Sequence, residues 1–434
     1  MNRKVYLSDF GITGNGKTMC TTAFQRAIDI LENGDELYIS SGEYTVGTLF
    51  LHSNTRIFLE KGAVVKGSTD IADYKKREYC GCIEASRFSE CLIYAEKCEN
   101  ISICGEGQIL GSGNHFSSGQ RPMLIRFAEC KNIAIRDISL GSSGSWCCNL
   151  LLCEDVKIDG VKLENRVNPN NDGLDFDSCQ RVWVSNSHIS TNDDCICMKS
   201  STKKPCEDII IDKCILESDT AAVKTGTASM GGFKNVLISN CIMKNCSMGV
   251  IKLIETDGGV LENVNINNII MENVGSPLFI RTGRRNLTFD TPKELDFYGE
   301  GCENDKKSGK IENIIFSNIT ASVTVKERDR NSIFISGVSD SYVKNIVISD
   351  VNIIFPGGGT KNERNIAVLE DEYKYPEQWF FGVTPSYGIY ARYVDGFFVR
   401  NAVFHTKTAD EREAVVMKGC GMNRRVEITE IGQK

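Results

Sequence analysis

Cys206-Glu207-Asp208-Ile209-Ile210-Ile211 returns 27 residues later as Phe233-Lys234-Asn235-Val236-Leu237-Ile238, and 28 residues after that as Leu261-Glu262-Asn263-Val264-Asn265-Ile266. Each copy is an apolar residue, a polar pair ending in Asn or Asp, and a strand-like apolar stretch with no helical period. The pattern, its pair usually ending in Asn or Asp, also begins at Cys98, Cys130, Cys153 and Cys179, and again at Ile311, Val343 and Val394, with first-position spacings of 32, 23, 26, 27, 27, 28, 50, 32 and 51. Units of this length built from short strands and turns cannot bury an apolar face alone, so they stack into a solenoid. The predicted fold is all-β, a parallel β-helix.

The two spacings near fifty each exceed a coil by about one coil's length, which marks either a degenerate turn or a long loop. One falls at about 284–310 and is polar and charged. The other falls at about 356–393 and carries Tyr375, Glu377, Trp379 and Tyr387, aromatics and an acid suited to a sugar face. No Pro/Gly/Ser-rich linker interrupts the chain. The reading is one domain: an N-terminal cap over about 1–35, coils over about 36–405 and a C-terminal cap over about 406–434.

A formal charge of −7 over 434 residues argues against nucleic acid, which selects a basic face. No apolar run has membrane-spanning length. The stretch from Met1 to Phe10 lacks the apolar core of a signal peptide, so a cytoplasmic protein is expected. Of nineteen cysteines, Cys98, Cys130, Cys153, Cys179 and Cys206 share one coil position, and Cys214 and Cys241 share another. That is the signature of an inward ladder of small apolar side chains, reduced in such a compartment. Neither Cys195-Ile196-Cys197 nor Cys147-Cys148 has zinc-site spacing, and no metal or cofactor is predicted. Gly11-Ile12-Thr13-Gly14-Asn15-Gly16-Lys17-Thr18 fits a phosphate-binding loop, but Tyr6-Leu7-Ser8-Asp9-Phe10 before it is too polar for the buried strand such a loop follows. A helix from roughly Thr21 to Leu31, capped by Thr21 or Thr22, instead reads as the plug of the first coil.

Function concentrates in Asn170-Asn171-Asp172-Gly173-Leu174-Asp175-Phe176-Asp177-Ser178 and Asn192-Asp193-Asp194-Cys195-Ile196-Cys197-Met198-Lys199-Ser200. Aligning Ser178 with Ser200 sets Asp172 on Asp194, with Asp193 beside them, on successive coils about 5 Å apart. Three carboxyls that close repel, and the cost is tolerated where chemistry or a metal uses them. Asp175 aligns with Cys197 at a position read as inward.

With these residues the chain resembles glycoside hydrolase family 28, the polygalacturonase and rhamnogalacturonase group, over nearly its whole length. Asp9-Phe10-Gly11 and Thr22 to Asp29 resemble the family's cap. Gly42-Glu43-Tyr44, Leu51-His52-Ser53-Asn54 and Leu59 to Ala63 resemble its first coils. Asn170-Asn171-Asp172-Gly173 resembles its Asn-Thr-Asp motif and Asp193-Asp194 its Asp-Asp motif. Tyr375 to Gly388 resembles bacterial members. The resemblance implies a right-handed helix and inverting hydrolysis of a glycosidic bond, with Asp193 as general acid and Asp172 and Asp194 holding the water.

Two family features are absent. The Gly-His-Gly histidine falls on Ala221, and the Arg-Ile-Lys cations fall on Ile251 and Leu253 around Lys252. Ordinary polygalacturonase specificity is therefore not expected. Exo-like action on short pectin-derived oligosaccharides is, with Asn170, Lys199, Lys224, Lys252, Arg281, Arg284, Glu377, Trp379 and Tyr387 as the candidate substrate contacts. Two other classes share this fold: a polysaccharide lyase or epimerase using Lys199, Lys224 or Lys252 as base beside calcium, and a carbohydrate-binding protein whose site has decayed at Ala221.

Overall fold

The computed structural model describes residues 3–76, 90–116, 119–285, 307–325 and 327–432. They fall into two compact units, 1–197 and 198–434.

In the first unit each coil contributes three short strands, and like strands stack in parallel. One column joins Ile93, Ile125, Cys148 and Leu174. A second joins Ile103, Ile135, Ile158 and Val184, and a third Val65, Ile109, Leu140, Leu163 and Ile189. All are buried. Period-2 alternation puts one residue of each pair into the coil, so the core is a stack of aliphatic columns. In the second unit, from Phe233 to Thr406, the latter two strands of a coil run together into strands of 12 to 15 residues such as Phe233–Lys244 and Val260–Val274. There Ile238, Ile266, Phe316, Ile348 and Val399 form the column. The architecture is a right-handed parallel β-helix. Among the described residues no helix is long and apolar enough to cross a membrane.

The repeat's Asn has a physical reason. Asn100, Asn132, Asn235, Asn263, Asn313 and Asn345 all have φ between 54° and 62°, the left-handed region that Asn tolerates better than most side chains. Their amides then chain from coil to coil, Asn132 donating to Asn100 at 2.7 Å, and Asn263 to Asn235 and Asn313 to Asn263 at 3.2 Å. A ladder of this kind satisfies each amide with its copy in the next layer.

The spacings near fifty are single coils, since Leu261 pairs with Ile311 and Val343 with Val394. Most of the first long stretch, 286–306, lies outside the described residues. The second is a loop carrying two 3-10 turns, Lys361–Asn365 and Gln378–Phe381, but it ends before the expected 393, because Ser386–Arg392 is a strand paired with Ile333–Ser336. Where a C-terminal cap was predicted from about 406, strands Glu413–Lys418 and Arg424–Ile431 add another coil. The first helix spans Thr21–Asp29, with Cys20 at its N-cap and no side-chain cap. Thr21 instead accepts from the Gly47 amide at 2.8 Å. Within the phosphate-loop look-alike, Asn15–Met19 is a strand paired with Gly42–Val46, which leaves no amide cradle opening a helix.

Candidate active site

The Asp172 turn is held by two asparagines with no solvent exposure, Asn165 and Asn171. Asn171 accepts from the amides of Val167 and Asn168 at 2.8 and 2.5 Å and donates to the carbonyls of Ser143 and Ser145 at 3.1 and 2.8 Å. Asn165 donates to the carbonyls of Ser145 and Asp172 at 3.1 and 3.0 Å. A buried amide with all its bonds made fixes a turn more rigidly than a surface one. On the next coil Thr191 donates to the Asp193 carbonyl at 2.6 Å, and the Asp194 amide donates to the Asp193 carboxyl at 3.0 Å. The Gly173 amide donates to the Asp194 carbonyl at 3.0 Å, so Asp172 and Asp194 stand at equivalent points of adjacent coils. The result is one oxygen each from Asp172, Asp193 and Asp194, all within 4.8 Å of one another, with Asp172 and Asp194 buried and Asp193 half-buried.

Asp175 departs from its expected inward position. It has no solvent exposure, and one of its oxygens lies within 4.8 Å of both an Asp172 oxygen and the Cys197 thiol. Strand alternation sets Leu174 and Phe176 opposite it, so Asp175 backs Asp172 from the same face. Asn170, at φ 55°, is half-buried. Its Nδ2 lies 3.5 Å from an Asp193 carboxyl oxygen, and its Oδ1 accepts from Arg121 at 2.9 Å. Asn165, Asn171, Thr191 and Arg121 escaped the sequence reading; only Asn171, inside the quoted motif, carried a signal. The all-oxygen Asp172, Asp193 and Asp194 set would also suit a hard divalent cation.

In the second unit the predicted contact residues separate into distinct groups. Lys199 is buried on strand Ile196–Ser200. Glu377 bridges Lys224 at 2.9 Å and Lys252 at 2.5 Å. Arg281, predicted to meet substrate, is 1% exposed. It donates to the Glu370 carbonyl and to Ser336 Oγ at 3.0 Å, and lies over the Phe381 ring at 4.8 Å. Burial, then the neighbouring Arg392 charge, depress it to about 9. Arg284 is tied to Asp340 and, at 3.2 Å, to Glu372. Tyr387 is buried, its hydroxyl donating to Glu430 at 2.7 Å, and burial raises its pKa. Arg281 and Tyr387 are therefore structural, because their polar atoms are spent inside the protein. Trp379 is half-buried and stacks on Phe380 with centroids 3.7 Å apart. Its buried indole N–H has no hydrogen-bond partner among the described residues.

A parallel β-helix that gathers three carboxyls at one turn carries the acid groups that hydrolysis of a glycosidic bond uses. Residues 34–371 match glycosyl hydrolases family 28, and the chain belongs to that family. It is 28% identical over 296 residues to a probable polygalacturonase of Vitis vinifera, covering 61% of this chain and 60% of that protein. The chain thus spans about 60% of the length of that relative. Among solved structures it is similar to a hyperthermoactive exopolygalacturonase from Thermotoga maritima, at 25% identity and TM-score 0.67 over 82% of this chain and 87% of that one. A family 28 exopolygalacturonase of Yersinia enterocolitica shares the fold at 19% identity and TM-score 0.71, covering 100% of this chain and 78% of the other.

Proposed function

We propose that the protein hydrolyses glycosidic bonds of pectin-derived oligosaccharides from a chain end, with inversion at the anomeric carbon. The observation that carries this is the convergence of Asp172, Asp193 and Asp194 within 4.8 Å in a family 28 chain. Asp193, the more exposed of the three, donates a proton to the leaving oxygen. Asp172 and Asp194, one coil apart, hold the attacking water and take its proton. Repulsion among the three carboxyls keeps a proton in the cluster for Asp193 to give. End-directed action is supported by the likeness to the Thermotoga maritima exopolygalacturonase.

The lyase reading needs a neutral lysine as base. Nζ of Lys224 and of Lys252 lie 2.9 and 2.5 Å from the Glu377 carboxylate, so that both are engaged inside the protein, and Lys199 is left as the candidate base for that reading. Digestion of a panel of pectic oligosaccharides, with new reducing ends counted and the anomer followed by NMR, tests the proposal. Single sugars released from one end with inverted configuration, unaffected by chelator, are expected. Retention of configuration, or an unsaturated product absorbing in the ultraviolet, would overturn it.

A further inference from the structure

Lys224 and Lys252 face each other in the register of strands Val223–Ser229 and Ile251–Glu255. Parallel neighbours lie about 4.8 Å apart, so two ammonium-bearing side chains are stacked, and both are buried. Between them stands Glu377, itself 4% exposed, with Oε1 2.9 Å from one Nζ and Oε2 2.5 Å from the other. One carboxylate oxygen per cation, away from water, is how a protein grips a free carboxylate.

We propose that Lys224 and Lys252 form a carboxylate clamp that the chain fills with its own Glu377, making Glu377 the residue that turns this lysine pair away from acidic sugars. The identity of the ligand as a sugar rests on the glycoside hydrolase reading; the clamp does not.

The carboxylate is a fixed occupant and not a latch that ligand displaces, because the segment carrying it is anchored on its C-terminal side. Gln378, with no exposure, donates to the Ser332 carbonyl at 3.0 Å. Phe381 stacks on Phe334 with centroids 5.2 Å apart, and Thr384 and Ser332 share a hydrogen bond of 2.9 Å. With Glu377 in place, an incoming carboxylate would meet a like charge already seated on both ammonium groups. A neutral group would meet no such penalty.

Glu377→Ala empties the clamp, and sodium formate is the probe. Formate, against equal sodium chloride, should raise the melting temperature of the variant saturably and leave the wild-type protein unmoved. In parallel, the affinity for galacturonate over galactose, measured by calorimetry, should rise about ten- to a hundredfold in the variant, the size of a charge-assisted hydrogen bond. Glu377→Ser, whose hydroxyl leaves one ammonium a partner, carries the same test if the alanine variant does not fold. Folding of either variant only in formate supports the clamp. Equal responses to formate and chloride, or failure of both variants to fold in either salt, overturns it. Absence of activity on every oligosaccharide, with the formate response intact, would remove the hydrolase reading and leave the clamp standing.

Discussion

Gly173 has no room for a side chain: a Cβ there would meet the Cys195 carbonyl oxygen at 2.5 Å and Ile189 Cγ2 at 2.9 Å. The turn presenting Asp172 is therefore pressed against the following coil by the absence of a methyl group. Gly173→Ala should cost about 1–3 kcal/mol by overpacking and lower kcat by displacing Asp172, measured by denaturant unfolding alongside kinetics; an unchanged kcat would detach the turn from catalysis. Asp193→Asn should lower turnover of poor leaving groups by about 10²–10⁴-fold while sparing activated aryl glycosides, which need the proton less. Equal losses on both would take the acid role from Asp193. At this scale the two acidic motifs were legible because each lies within a few contiguous residues. Asn165 was not, because its partners Ser143 and Ser145 come from the previous coil.

Loop 356–385 is held by a pair of arginines on strands outside it, Arg281 and Arg392. Arg281 reaches the Glu370 carbonyl and Arg392 the carbonyls of Val368 and Leu369 at 2.8 and 3.0 Å, and Ser336 Oγ accepts from both. Two like charges sharing one serine repel, and the backbone carbonyls they grip compensate. Arg281→Met keeps the packing against Phe381 and removes bonds worth about 1.5–3 kcal/mol each. Limited proteolysis should then cut the loop near 366–376 before the coils are touched; a cleavage pattern like the wild type's would mean the strap is dispensable. The spacing near fifty marked this insertion, yet its last residues, Tyr387 among them, form strand Ser386–Arg392, and the direction of each side chain was invisible in the sequence. Tyr387 reads as a sugar platform until its strand turns it onto Glu430 and Phe355.

Across the whole molecule, none of the described cysteines is in a disulfide, and most are buried. The ladder thiols bond to one another and to carbonyls: the hydrogen bond with Cys153 leads in pushing Cys130 up to about 12, and burial leads in raising Cys153. Thiol titration should find most cysteines unreactive until denaturant is added without reductant; several disulfides would sink the ladder. Because Cys98, Cys130, Cys153 and Cys241 sit above the unfolded value of about 8.5 when folded, their stability contribution is whole below that pH and is lost as pH rises beyond it, when only the unfolded chain ionises. Melting temperature should fall from about pH 8.5 upward, and a flat profile to pH 10 would contradict the raised thiols. The sequence by itself determined the β-helix, its register and the two acidic motifs, because a period repeated from coil to coil can bury its apolar columns in only one way. Only the tertiary structure decided that Glu377, 125 residues from Lys252, closes on two stacked lysines, and that Arg281 turns inward. Such contacts come from loops outside the repeat, where no periodicity constrains which charge meets which.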